Sequence, residues 1–598
     1  MKHLSESDKS RIIQSIKAGT PLSETDVQLL MPEGSEPKLY WSKKKCRPLP
    51  ESTLQYPSNF NSTDSDTSSH WINQVFHGDC LSVLSVLGSK PLQDKIMDAG
   101  GIKLVYMDPP FDVGSDFKLK HSIGPSHQKT KFRPIAYRDS WSQHATELLN
   151  MLYSSFSHIH PLLAEDGSLY VHCDWRLSGV IRLMLDEVFG KAQLRNEICW
   201  RYNSRTMASQ WFARKHDTIF VYSKGPSPIF NGDAVRIPHK PESKSQYNKI
   251  DAEGRFYKPQ SNGKRSYLNP LGQPCSDVWD IQLLGSRTPE RSGYPTQKPL
   301  ALLERMIKAS SNEGDIVADL FCGSGVLAEA ADKLNRRWLV ADIGSLAIQT
   351  TTKRLLSPTI DATFRRSETI SDRMISKDID WNKMLGLRLD LNAQIVVETK
   401  LVTVQRLQQI VTDFPKKDLI VLAINFDTEC IQWAHKNRNK YSVSLKIIPR
   451  GQLYFQPKHP VFFMPALCAK IQSIQSQNGF QFSIKDLYFI DHHPQVNTPF
   501  TISQGHLYES STKIQTVNQL TQSWSDWIEG WTIDQPIDDE QNIIWHDFRT
   551  QKSRTLECKS PFLTGITQSH VVVTLYDIFG YTHRQRLTLL DACQEMDK

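Results

Sequence analysis

A chain of 598 residues with 39% apolar and 23% charged residues has the composition of a soluble globular protein with about two to four cores. No apolar run reaches the ~18 residues that a membrane-spanning helix needs, and the polar, charged start carries no export signal. Lys and Arg outnumber Asp and Glu by 71 to 64, a weak pointer to a polyanionic partner, and ten scattered cysteines without a Cys-x-x-Cys pair read as reduced thiols of a cytoplasmic protein.

Residues 1–69 read as a helical leader followed by a linker. Ile12, Ile13 and Ile16 make one apolar face, Gly19 and Pro21 stop the helix, and residues 46–69 are rich in Pro, Ser, Thr and Asn. Val75-Phe76-His77-Gly78-Asp79 then gives a strand and a turn before a helix over 81–87. Asp79 stands where an acid either accepts from a ligand amine or hydroxyl, or caps the helix.

The next strand, Ile102–Met107, is short, β-branched and apolar almost throughout, as a buried parallel strand should be. Asp108-Pro109-Pro110-Phe111 follows it. Two prolines stiffen this loop. A carboxylate and a proline carbonyl can accept from an amine on a flat base, while the aromatic ring stacks on it. A stiff solvent loop is the bland alternative. Residues 114–137 are polar and basic and read as a mobile loop over this socket. Helix 146–163, strand 168–174 and helix 177–189 continue an alternation typical of doubly wound α/β folds.

Between residues 195 and 270 the composition shifts to fourteen Lys/Arg against six Asp/Glu, a net of +8. Trp200, Tyr202, Trp211, Phe212, Phe256, Tyr257 and Tyr267 are interleaved with those charges. This is the composition of a nucleic-acid surface, and Arg201, Tyr202, Arg205, Arg214, Lys215, Lys264 and Arg265 are its candidate contacts. A strand over 217–222 interrupts the segment.

Tyr294-Pro295-Thr296-Gln297-Lys298-Pro299 opens a helix over 300–310, with proline well placed at its first turn. Strand 315–319 runs into Leu320-Phe321-Cys322-Gly323-Ser324-Gly325 and a helix over 326–334. Two glycines let a ligand approach the backbone, although Ala328 stands where a dinucleotide fingerprint has its third glycine. The following strand ends at Asp342, seventeen residues after Gly325, where nucleotide-binding folds place an acid for ribose hydroxyls.

The order of these parts resembles the β-class DNA amino-methyltransferases over about residues 70–355, especially site-specific adenine methylases and the modification subunits of type III restriction systems. The resemblance implies a Rossmann-like α/β core using S-adenosylmethionine, with the motif order circularly permuted. By the same resemblance, Asp108, Pro109, Pro110 and Phe111 are the catalytic motif. Asp319, Phe321, Gly323 and Gly325 form the cofactor loop, Asp342 is the ribose acid, and Asp79 lies near the cofactor's adenine. Thr296, Gln297, Lys298 and Pro299 pack beside its methionine end. Phe111 replaces the commoner Tyr, which keeps stacking and loses a hydroxyl.

The expected reaction is methyl transfer to the N6 amine of an adenine flipped out of double-stranded DNA, with the cytosine N4 amine or an idle DNA-reading subunit as alternatives. Methylation at cytosine carbon 5 is rejected. Pro274-Cys275 is the only Pro-Cys pair, and it has no Glu-Asn-Val partner. The implied partners are DNA, a second copy in a homodimer, and a restriction or helicase subunit of a defence system.

The expected domains are the leader and linker 1–69, a catalytic domain 70–356 with its basic insert at 195–290, and a linker 357–385. An α/β region 386–505 and a β-sandwich-like domain 506–598 follow. Strand-like runs at 393–399, 419–425, 441–448, 453–455 and 571–576 make this last third β-rich. Asp413, Asp427 and Glu429 lack any fixed ligand spacing and read as solvated surface rather than a metal site.

Overall fold

The structure is a computed structural model that describes the chain apart from residues 1–4, 19, 21, 24–25, 27–38, 42–43, 61–70, 120, 124–130, 140–144, 205–206, 286, 372–378, 386–392, 416–417, 451–460, 493–499, 504–505, 511–516, 538–539, 551–552 and 590–598. The expected helix stop at Gly19 and Pro21, the run at 453–455 and Arg205 therefore lie outside the described residues.

In chain order, helix α1 (Glu6–Ala18) precedes strands β1 (Ser52–Phe60) and β2 (Asn73–His77) and helix α2 (Cys80–Leu87). Strand β3 (Ile102–Met107) leads into the short strands β4 (Ser115–Lys118) and β5 (Ile135–Asp139). Helix α3 (Ala145–Ile159), strand β6 (Leu163–Cys173) and helix α4 (Ser178–Phe189) come next, followed by β7 (Leu194–Arg201), β8 (His216–Ser223) and β9 (Val278–Asp280). Helix α5 (Leu300–Ser310), β10 (Ile316–Asp319), α6 (Val326–Lys333), β11 (Arg337–Asp342), α7 (Ser345–Leu355) and β12 (Phe364–Ser371) close the first part.

One fourteen-stranded sheet organises the molecule, and its central strands β6-β3-β10-β11-β2-β12 all run parallel. Each central strand sends alternate side chains to opposite faces. Val105 and Met107 pack with α2, α3 and α4 on one face, and Leu104 and Tyr106 pack with α5 and α6 on the other. The result is the three-layer α/β sandwich that the strand–helix alternation predicts. β3 and β10 are neighbours, yet the chain leaves β3 toward β6 on one side and leaves β10 toward β11 on the other. Such a switch point leaves a crevice beyond the carboxyl ends of the strands.

The last third is β-rich, as expected, and part of it extends the same sheet. Strands β13 (Ala393–Val402), β14 (Asp418–Phe426) and β15 (Val443–Ile447) form the parallel part of a separate four-stranded sheet. Strands β16 (Ile528–Ile537), β17 (Glu540–Phe548), β18 (His570–Asp577) and β19 (Thr582–Thr588) join the main sheet through β17 and β1, which pair at Ser58↔Gln541 and Asn59↔Asn542. Asp427 caps a helix by accepting from Thr428 N–H.

Four expectations need correction. Ile13 and Ile16 are 50% and 62% exposed, so α1 buries only Ile12 among the three isoleucines of its supposed face. Residues 52–60, expected in a linker, form β1. The strand tolerates Pro57 because its register shifts between Gln55 and Ser58, so the missing N–H interrupts no ladder bond. Residues 364–371, also expected in a linker, form β12 of the main sheet. Its charged residues Arg366 and Glu368 are buried. Trp200, expected on a nucleic-acid surface, is fully buried and donates to the Ile281 carbonyl at 2.8 Å.

Glu368 ties the last third to the core. Its carboxylate accepts from Arg450 at 2.9 Å, Asn425 at 3.2 Å and the Thr582 hydroxyl at 3.2 Å, with Arg584 at 3.5 Å. Burial alone would raise this carboxyl's pKa; Arg450 and Arg584 hold it well below the usual range. Arg450 also donates to the His77 carbonyl at 3.0 Å, two residues before Asp79. Glu368→Gln would strand two buried guanidinium groups and should cost ~3–5 kcal/mol in urea unfolding. A loss below ~1 kcal/mol, the scale of an exposed pair, would contradict this role.

Candidate active site

The loop after β3 is held from below by a residue that the sequence did not single out. The Asp139 carboxylate, buried at the end of β5, accepts from the backbone N–H groups of Phe111 (3.2 Å), Asp112 (2.8 Å) and Val113 (3.1 Å). Asp112 adopts a left-handed φ of 56°, which turns the chain under Phe111. β4 and β5 pair as a hairpin inside the segment expected to be a mobile loop. Phe117 stacks on Tyr137 at 4.7 Å, and Tyr137 lies 3.1 Å from the Thr296 hydroxyl. Desolvation raises the Asp139 carboxyl's pKa despite its three N–H donors.

Asp108 has two different oxygens. Oδ2 meets the Lys298 ammonium at 2.5 Å. Oδ1 is buried and has no hydrogen-bond partner among the described residues, its nearest ring nitrogen being His172 Nδ1 at 3.6 Å. His172 is itself fully buried, 3.0 Å from the Tyr106 hydroxyl and 3.2 Å from Asp217, which also accepts from Tyr202 at 3.0 Å. Burial would raise Asp217's pKa, but His172, Lys298 and Tyr202 hold it below the ordinary value. Phe111 lies 5.7 Å from the His172 ring, with the Lys298 ammonium 5.6 Å from its own. Asp108 and Phe111 both line one cleft, and Oδ1 lies on the inner side of the carboxylate, toward His172.

Beside it, strand register puts Asp319 opposite Tyr106, so the loops after β10 and β3 leave the sheet side by side. The Asp319 carboxylate accepts from Phe321 N–H at 3.0 Å. Asp342, at the end of β11, accepts from Gly323 N–H at 2.9 Å and Gly344 N–H at 2.7 Å. Gly323 and Gly325 have φ of 49° and 74°, and a Cβ on Gly325 would come within 2.6 Å of Thr351. Both glycines are therefore required by the turn itself. Asp79 caps α2, accepting from Leu81 and Ser82 N–H at 3.1 Å each, and also lines the cleft.

The four residues of the 296–299 motif divide their work. Thr296 takes a left-handed φ of 56° and meets Tyr137; Lys298 reaches Asp108. Gln297 turns inward, accepting from Ser292 and donating to the Glu290 carbonyl, both at 2.8 Å. Pro299 precedes α5, whose first N–H, that of Leu300, is taken by Glu290 at 2.6 Å.

The cleft between the two loops encloses a cavity of about 190 Å³ lined by Asp79, Asp108, Phe321, Gly323 and Asp342 among others. Its electrostatics are lopsided. Burial above all, with Asp108 and Asp342 adding, pushes Asp319 well above the usual carboxylate range, and burial pushes Asp342 up to about 6. Five carboxylates, those of Asp79, Asp108, Asp139, Asp319 and Asp342, line the cavity together with Lys298 and Arg450. A ligand that is cationic at one point and offers hydroxyl and amine donors would satisfy them. S-adenosylmethionine, with a sulfonium, an ammonium and a ribose diol, fits this donor set.

The candidate DNA contacts differ in their exposure and partners. Arg201 pairs with Asp280 at 2.5 Å, while Tyr202 is turned inward to Asp217. Arg214 and Lys215 are exposed beyond the β7–β8 hairpin. Lys264 and Arg265 lie exposed on a small three-stranded sheet over 249–267, where Arg265 stacks on Tyr257.

The chain is similar to known DNA methylases over the region that carries this site. The family model described as DNA methylase matches residues 102–353. The type II methyltransferase M.HpaI of Haemophilus parainfluenzae is 29% identical over 281 residues, covering 47% of this chain and 74% of its own. The DNA adenine methyltransferase YhdJ of Escherichia coli is 26% identical over 47% of this chain and 82% of its own. The Mod subunit of the type III restriction-modification enzyme StyLTI of Salmonella typhimurium is 23% identical over 46% of this chain and 52% of its own.

Asp342 allows a test that separates binding from folding. Its carboxyl is raised in the fold, so across the window from about 4 to about 6 the folded state holds a proton that the unfolded chain has lost, and stability falls as pH rises through it. Asp342→Asn removes that cost, so the melting temperature at pH 7 should hold or rise. Affinity for S-adenosylmethionine should fall ~10–100-fold in titration calorimetry, the scale of a hydrogen bond to a charged group. Loss of stability at pH 7 would contradict the account.

Proposed function

We propose, from the premise that residues 102–353 belong to the DNA methylase family, that this chain methylates the N6 amine of adenine flipped out of double-stranded DNA. In this reading the catalytic unit spans residues 70–356, with its DNA-facing insert at 195–290. The observation that carries the reading is the orphaned, buried Asp108 Oδ1 beside Phe111, at the strand end adjoining the glycine loop.

An exocyclic amine is a poor nucleophile while its lone pair is delocalised into the ring. Asp108 Oδ1 and the Pro109 carbonyl accept its two hydrogens and favour a pyramidal nitrogen with an aimed lone pair. Lys298 occupies the other Asp108 oxygen, so the carboxylate is presented in one orientation. Asp139 fixes the loop, His172 backs Asp108, and Phe111 replaces the stacking that the base loses on leaving the duplex. S-adenosylmethionine, when bound, supplies an electrophilic methyl on its sulfonium. Asp342 would hold the ribose hydroxyls, Asp79 and Phe321 the adenine end, and Asp319 the cationic end. As the nitrogen gains a methyl it loses one proton, for which Asp108 is the nearest acceptor. No covalent enzyme intermediate is required.

An aspartate rather than a serine at 108 favours adenine over the cytosine amine, and the similarity to an adenine methyltransferase supports that choice. The similarity to a type III Mod subunit favours a restriction partner, and the family resemblance favours a homodimer acting in the cytoplasm. No helix among the described residues is long and apolar enough to cross a membrane.

Purified protein incubated with duplex DNA and methyl-labelled S-adenosylmethionine should yield N6-methyladenosine on nucleoside digestion. Asp108→Asn should lower the rate by ~10²–10⁴-fold, the range for removing a well-placed polar catalytic group, while leaving cofactor affinity within a few fold. Label in N4-methylcytosine would overturn the base assignment. An undiminished Asp108→Asn rate would overturn the mechanism.

A further inference from the structure

The loop joining β7 to β8 has a composition that a solvated loop does not need. Tyr202 N–H donates to the Lys215 carbonyl at 3.0 Å, closing a narrow stem. Beyond the stem, Met207 is 94% exposed, Trp211 61% and Phe212 97%. Three large apolar side chains held in water within six residues mark a contact surface. Residues 201–216 also carry four Lys/Arg and no Asp/Glu, which selects a polyanion as the occupant.

The loop is coupled to the catalytic centre at its root, and a second contact near the stem holds it to the end of β6. At the root, Tyr202 holds Asp217, Asp217 holds His172, and His172 backs Asp108. Beside the stem, the Arg214 guanidinium lies 3.9 Å from the Trp175 ring centroid. Trp175 sits just past the end of β6, the neighbour of the strand that ends in Asp108. Arg214 therefore anchors the loop to the segment that follows β6, one strand away from the strand that leads into Asp108.

Resting on the function proposed above, we infer that Phe212 is a wedge that enters the base stack at the target step and fills the space the flipped adenine vacates. Met207 and Trp211 flank it, and Arg214 and Lys215 meet the adjacent phosphates. An inserted apolar side chain offsets the stacking lost on extrusion and slows the return of the base. Phe212 is the choice among the three because its ring is free of protein on nearly every side, whereas Trp211 leans toward Arg214 at 5.9 Å.

The test uses the full chain and a duplex carrying the sequence in which the wild type methylates adenine. With Phe212→Ala, kcat/KM on the paired duplex should fall ~10–100-fold, since a stack left open favours re-entry of the base. On the same duplex with an abasic site opposite the target, where extrusion costs little, the variant should come within ~3-fold of wild type. With 2-aminopurine at the target position, the fluorescence rise on binding should be lost in Phe212→Ala and kept in Phe212→Trp. Equal loss on both duplexes, or no loss on either, would overturn the wedge. A wild type that methylates no adenine would overturn the function itself, so the two failures are distinguishable.

Discussion

Parallel pairing of β3 with β10 at the centre of the sheet is the constraint on which the rest depends. With Tyr106 opposite Asp319, Asp108 and Phe321 each stand two residues beyond a shared register position, on loops that leave the same edge. Some two hundred residues separate them in sequence, but the sheet makes them neighbours. A one-residue slip would reverse the faces of β3 and turn Val105 and Met107 away from α3. The two tightly packed faces therefore also fix the distance between base socket and cofactor loop.

Charge placement follows from that geometry. A cleft at strand ends, roofed by Tyr294 and floored by buried apolar strands, is a poor solvent for carboxylates. The fold nevertheless puts Asp108, Asp319 and Asp342 there and engages four of their six oxygens with backbone N–H groups or Lys298. What is left over is directional: one bare oxygen on Asp108 and an environment that favours a cation. The last third of the chain takes part, since Arg450 reaches from it to the His77 carbonyl and to the edge of the same cleft. Through that contact it braces the turn that carries Asp79.

The catalytic half was legible because its strands and motifs are local. Apolar runs such as Ile102–Met107, the proline before α5 and the glycine turn before α6 declare themselves within a few residues. β1 and β12 were not legible, because non-local pairing overrides what Pro57, Arg366 and Glu368 suggest locally. Asp139, His172 and Asp217 carry no motif and act through contacts made across 15 to 66 residues of chain. A histidine and an acid closing a strand, as in His172-Cys173-Asp174, were the available signal. Trp200 shows the converse: aromatic plus basic composition marks the segment, but not which ring faces water.

The central claim is that the loops ending β3 and β10 form one adenine-methylating centre that depends on Asp108. Single-molecule sequencing of genomic DNA from cells expressing the wild type beside Asp108→Ala tests it most directly. The account predicts N6-methyladenine in one short sequence context in the wild type, and its absence in the variant. Modified adenine in both samples would contradict the role of Asp108, and no modification in either would contradict the assignment of the centre.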